Sequence, residues 1–222
     1  MRRMLRNNGL SIVMFGLFFI FLVGQSMVGL QTYNDDQREH NQSTLSYGQY
    51  VLSGAFIEAV FENWESEFLQ MGAYVIFTAF LFQKGSSESK DPDSQEDDDV
   101  DQDPRQNQHA PNVPWPVRRG GWVLKLYENS LSLALLALFA LSFMLHAIGG
   151  AEEYSTEEQE HGGQPVSTIQ YLGTSQFWFE SLQNWQSEFL SVGVLIVLSV
   201  YLRQRGSPES KPVASLHGET GK

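Results

Sequence analysis

The sequence contains no cysteine. Disulfides and thiolate chemistry are thereby excluded, and any metal site must be built from histidine and carboxylates. Lys and Arg number only 14 against 26 Asp and Glu, for a net charge of −12, and no nucleic acid is expected among the partners. No GxGxxG, P-loop, HExxH or nucleophile elbow occurs, so the common phosphate-cradling, zinc-protease and serine-hydrolase arrangements are not announced. Charge is also missing locally. Residues 9–30 carry none over 22 positions, and 130–151 carry none either, interrupted only by His146.

Those charge-free stretches are long enough to cross a hydrocarbon core of roughly 30 Å. Two shorter apolar runs occur at 68–82 and 189–202. As helices they cover only about 21–23 Å, so a span there must include the residues before it. The start, MRRMLR before an apolar core, resembles a secretory signal. An internal counterpart at 129–150 argues that it is retained as a span. Lys and Arg number three before the first span, one (Arg38) in 31–66, six in 83–128, none in 151–186 and four after the last. The positive-inside rule then predicts four spans, with both termini and the central linker cytoplasmic.

NWESEFL at 63–69 returns as NWQSEFL at 184–190, an offset of 121 residues. The same offset aligns 6–90 with 127–211 without a gap, and 27 of the 85 pairs are identical. A period this long reads as a duplicated domain, not as a solenoid unit. The predicted organisation is repeat 1 over 1–90 (spans about 9–30 and 64–83), a linker over 91–121, repeat 2 over 122–211 (spans about 129–149 and 185–203), and a tail over 212–222. The linker is acidic and almost free of large apolar residues before Val113, so it is expected to be disordered. After it, WPVRRGGWVLKLYEN places Trp115, Trp122 and Tyr127 near the membrane and Arg118, Arg119 and Lys125 toward lipid phosphates.

In the first repeat, Phe56, Val60, Trp64 and Phe68 recur at i+4, with Glu58, Glu62 and Glu65 on the other face. This is the pattern of an amphipathic helix, which would either lie in the membrane interface and bend into the second span near the NWxSE motif, the favoured arrangement, or continue straight into that span and lengthen it. Within that motif, Asn63, Trp64, Ser66 and Glu67, with Asn184, Trp185, Ser187 and Glu188, are the candidate site residues. Helix capping and tryptophan anchoring account for their types. Retention of the same letters in both copies keeps a binding role open. Glu39, His40, Glu160 and His161 offer two carboxylates and two imidazoles, the donor set of a transition-metal site if the repeats met. Their surroundings read as solvated loop, and no cofactor is expected. GSxESK closes each repeat, with Gly85 and Gly206 placed as helix-stop glycines and Lys90 and Lys211 as basic anchors.

The runs NGLSIVMFGLF, YNDDQREH, NWESEFL and KGSSESK, and their counterparts NSLSLALLALF, EEQEHGG, NWQSEFL and RQRGSPESK, resemble a bacterial multi-pass membrane domain of unknown function. The resemblance implies an all-α integral membrane protein and no particular activity. The second copy has Ser142 and His146 where the first has Phe21 and Gln25, so those positions need not share a role. Three functions are consistent with these features. The first is a non-enzymatic scaffold or modulator of a membrane partner, with lipids and another membrane protein or a second copy as partners. The second is a small channel or transporter with its path between the repeats. The third is an enzyme or metal binder using the Glu39, His40, Glu160 and His161 group.

Overall fold

In the computed structural model, residues 2–91, 104–105 and 108–221 are described, with side chains from residue 6 onward. The acidic part of the linker, 92–103, lies outside the described residues, so the expectation of disorder there is not addressed.

The described residues form helices and no strand. In chain order these are α1 (Arg2–Glu39), α2 (Tyr47–Tyr50), α3 (Gly54–Phe80), α4 (Trp115–Arg119), α5 (Gly121–Glu128), α6 (Ser130–Glu160), α7 (Thr168–Tyr171) and α8 (Ser175–Tyr201). Two of them, α1 from Arg6 to Glu39 and α6 from Ser130 to Glu160, are long and apolar enough to cross a membrane. The predicted second spans overlap the later parts of α3 and α8, each 27 residues long, and extend two or three residues past their ends. Their first halves carry carboxylates and amides, and they do not join that pair.

Three expectations are corrected. The stretches around Glu39-His40 and Glu160-His161 are not loop: α1 and α6 continue to Glu39 and Glu160. These helices end where Asn41 (φ 58°) and Gly162 (φ 80°) turn left-handed, a conformation open to glycine and tolerated by asparagine. Second, the aromatic segments do not bend into the spans. Gly54–Phe80 and Ser175–Tyr201 each run as one helix, because neither contains a proline or another break after its first residue. Third, Gly85 and Gly206 do not stop helices, since α3 and α8 have already ended at Phe80 and Tyr201. Their positive φ (87° and 84°) belongs to a separate turn further on.

The chain divides into two compact units, 1–61 with 144–177 and 62–143 with 178–222. Each draws on both halves of the sequence. In the first unit, short helices α2 and α7 follow α1 and α6. Ser46 and Gln49 close a capping box at α2, and Ser167 and Gln170 do the same at α7. The Asn34 side chain exchanges two hydrogen bonds with the Leu45 backbone (2.9 and 2.7 Å). Ser155 does likewise with Val166 (3.1 and 3.0 Å). These tie each returning segment to the helix it has just left.

In the second unit, α5 follows α4 after a break at Gly120 and Gly121, both at positive φ (66° and 59°). Val117 and Leu124 are buried, while Trp115, Trp122 and Tyr127 are exposed beside Arg118, Arg119 and Lys125. The two GSxESK turns have matching internal bonds. Ser89 and Ser210 accept from the backbone N–H of Gln83 and Gln204, each at 2.8 Å. Ser86 and Ser207 accept from Glu88 and Glu209, each at 3.1 Å. Serines at these spacings thus satisfy the backbone of the turn, which helix stopping alone did not require. Lys211 is buried, and its ammonium donates to the carbonyls of Leu216, His217 and Glu219 (3.2, 3.1 and 2.8 Å). Gly85 N–H donates to Thr220 Oγ1 at 2.8 Å, and Gly221 N–H to the Ser86 carbonyl at 3.0 Å. The tail is therefore folded against the turn at Gly85 and Ser86.

Candidate functional site

Two glycines on α6 set the geometry of the most chemically loaded region of the first unit. A Cβ at Gly149 would lie 2.7 Å from the Glu58 backbone nitrogen, and one at Gly150 would lie 2.6 Å from the Tyr171 hydroxyl. Only glycine permits the start of α3 and the end of α7 to come this close. One turn earlier on α6 is His146, with no exposed surface. Its ring stacks on Phe177 (centroids 4.8 Å, 29° between planes), and the Tyr171 ring meets Phe177 edge-on (5.5 Å, 75°). The Tyr171 hydroxyl donates to Glu58 Oε1 at 3.1 Å. A carboxylate oxygen of Glu58 and an imidazole nitrogen of His146 lie within 4.8 Å of each other. A half-buried carboxyl is thus gathered with a buried imidazole and a buried phenol, a set able to hold a proton or ligate a cation.

The place 121 residues earlier in the chain has similar packing and different chemistry. Tyr50 sits on Gly29, leaving no room for a Cβ, and meets Phe56 at 5.4 Å and Tyr33 at 5.8 Å. Tyr171 meets Phe177 and Tyr154 at similar distances, 5.5 and 5.6 Å. Gln25 stands at the His146 position and donates its amide to the Ala59 carbonyl at 3.4 Å. Counting 121 residues on from Glu58 gives Phe179.

A cleft of about 450 Å³ also opens in the first unit, lined in part by Tyr33, Gln49, Ser53, Glu152, Glu153 and Thr156. Burial pushes the Glu153 carboxyl up to about 7, helped by Glu157, Glu160, Glu152 and Asp36. Burial also raises the Tyr33 hydroxyl, with the same acidic neighbourhood adding to it through Glu153, Glu160, Asp36 and Glu152.

The motif residues lie elsewhere. NWxSEFL begins nine residues after the first residue of α3 or α8, so capping does not explain it. Ser66 and Ser187 instead donate back to the carbonyls of Asn63 and Asn184 (2.7 and 2.8 Å). Within the second unit, the Asn184 amide donates to the Glu62 carboxyl and the Trp185 indole N–H to Glu65 Oε1 at 3.2 Å. Glu65 and Ser66 are buried, whereas Asn63 and Glu67 are exposed. The acidic face of α3 is accordingly a packed face. At the ends of α1 and α6, His40 Nδ1 lies 3.1 Å from the Asp36 carbonyl and His161 Nδ1 2.8 Å from the Glu157 carbonyl. Among the described residues, Glu39, His40, Glu160 and His161 do not form a ligand cluster.

Sequence reasoning placed His146 near the end of a span and Glu58 on the polar face of a helix, but did not join them. The available signal was the pair Gly29/Gly150 with Tyr50/Tyr171, identical in both copies. A glycine and a tyrosine kept together mark a ring lying on a backbone.

These features define an all-helical protein with two helices fit to cross a membrane and a largely buried Glu–His–Tyr cluster at one of them. The family described as Domain of unknown function (DUF6766) matches residues 1–222, and the chain belongs to it. No curated protein and no solved structure matches the chain.

Proposed function

We propose that this is a four-pass protein of the bacterial inner membrane, made of two parallel copies of a helix pair, that binds and modulates a membrane partner without catalysing a reaction. The observation that carries the reading is the apolar surface of the two longest helices. Leu10, Phe15 and Ile20 of α1 and Leu131, Leu141 and Met144 of α6 are all exposed. Such a surface is stable against lipid or another apolar helix, not against water.

The other two spans are α3 and α8, whose 27 residues reach about 40 Å as helix. Their polar groups have protein partners, as intramembrane polar groups require: Glu65 with Trp185, Glu62 with Asn184. Duplication is supported by local structure repeating at 121 residues. Asn8 and Asn129 both leave helical geometry (φ −127° and −110°), and the capping boxes and GSxESK turns recur in register. The thirteen-to-one distribution of Lys and Arg supports cytoplasmic termini and linker. Two spans per copy return the chain to the same side, so the copies would be related by an axis along the membrane normal.

The test uses the absence of native cysteine. In intact cells, Asp36→Cys and Glu158→Cys are expected to react with an impermeant maleimide, and Asp98→Cys only after lysis. Labelling of position 98 in intact cells overturns the topology. On native gels of mildly solubilised membranes, the chain is expected in a complex of defined composition. Migration as a lone chain, together with solute flux in proteoliposomes, overturns the modulator reading in favour of a channel.

A further inference from the structure

We propose that Glu58, His146 and Tyr171 form a binding site for one divalent first-row transition-metal ion. The site lies wholly in the first unit and does not depend on the number of spans.

Imidazole nitrogen and carboxylate oxygen are the donors such ions take from a chain without thiols, and a phenol oxygen can complete a mixed set. In a tetrahedral shell with bonds of about 2.0–2.1 Å, neighbouring ligand atoms lie about 3.3 Å apart. The Tyr171 and Glu58 oxygens stand at 3.1 Å, already at the length of such an edge. The His146 nitrogen is within 4.8 Å of the Glu58 carboxylate, a gap that side-chain rotation can close. Three ligands leave one position for water. When Tyr171 ligates through its oxygen as a phenolate, its proton is released to solvent.

The surroundings are built for a fixed ligand set. Phe177 holds the His146 ring by stacking and the Tyr171 ring by its edge. Gly149 and Gly150 admit α3 and Tyr171 to the surface of α6, where side chains would collide. At the positions 121 residues earlier, Gly29 and Tyr50 are in the same close contact, and Gln25 donates to the Ala59 carbonyl. The later segment keeps the glycine–tyrosine contact and places an imidazole, a ligand for such ions, where the earlier one has an amide.

The experiment uses untagged full-length protein in detergent, stripped with chelator and then titrated with zinc and, separately, with cobalt. One equivalent of zinc is expected, and cobalt should give the visible absorption of a four-coordinate ion. H146Q, which restores the residue found in the first copy, and E58Q are each expected to weaken binding by at least about tenfold, and Y171F by about tenfold. H40A/H161A should bind as the unaltered protein does. Gel filtration checks folding; if H146Q does not fold, E58Q decides. Substoichiometric zinc, or unchanged affinity in the folded H146Q or E58Q protein, overturns the site. So does loss of binding in H40A/H161A alone, which would move the metal to the helix ends.

Discussion

Trp185 donates its indole N–H to Glu65, a residue with no exposed surface, at 3.2 Å. The tryptophan of NWQSEFL thus bonds α8 to α3, where the sequence suggested an anchor among lipid headgroups. The two roles differ in what a substitution does. Phenylalanine keeps the apolar ring and removes the donor from a buried carboxyl, at a cost of about 1–3 kcal/mol. W185F should lower the thermal midpoint in detergent, while W178F, at a partly exposed tryptophan of the same helix, should change it little. Equal, small effects would return Trp185 to the anchoring role.

Glycines separate in the same way. Alanine at Gly149 would press on the Glu58 backbone, which cannot rotate aside, and overpacking of this kind costs about 1–3 kcal/mol. At Gly16 nothing lies within 4 Å, and alanine should be neutral or stabilising by up to about 1 kcal/mol through helix propensity. G149A is expected to lower yield and melting temperature relative to G16A. The reverse order would mean that α3 and α6 do not approach at this point.

Glu153 gives a pH dependence with a definite sign. Its carboxyl titrates near 7 in the folded protein, above its ordinary value of 4.5, so the folded state holds the proton more tightly than the unfolded state. The resulting contribution to stability is complete below about 4.5 and is lost as pH rises toward 7. E153Q, which cannot ionise, should therefore stabilise the protein at pH 8 and flatten the stability profile between 4.5 and 7. Thermal melts of both proteins across that range provide the check, and parallel profiles would contradict the shift.

The helical class and the two longest apolar helices were legible because charge-free runs of more than twenty residues have few other uses. The recurrence of NWxSEFL and GSxESK at an offset of 121 residues was legible as well. What those letters do was not. The acidic residues of α3 looked solvent-facing because Glu is usually exposed, yet Glu65 is buried against an indole. The polar ends of α1 and α6 looked like loops because NDDQREH and STEEQEH carry no apolar stripe, yet both continue preceding helices. Most important for the candidate site, Glu58 and His146 lie 88 positions apart in sequence and come together only through Gly149, a contact without a local pattern.

The tail carries a consequence for biosynthesis. Residues 216–221 supply the acceptors for the Lys211 ammonium and partners for Gly85 and Ser86. Thr220 follows Gly85 by 135 positions, so the turn is synthesised long before the segment that completes it. Until residues 216–221 have emerged and folded back, the turn at Gly85 and Ser86 lacks these bonds, and a nascent chain arrested before residue 216 displays an unfinished surface there.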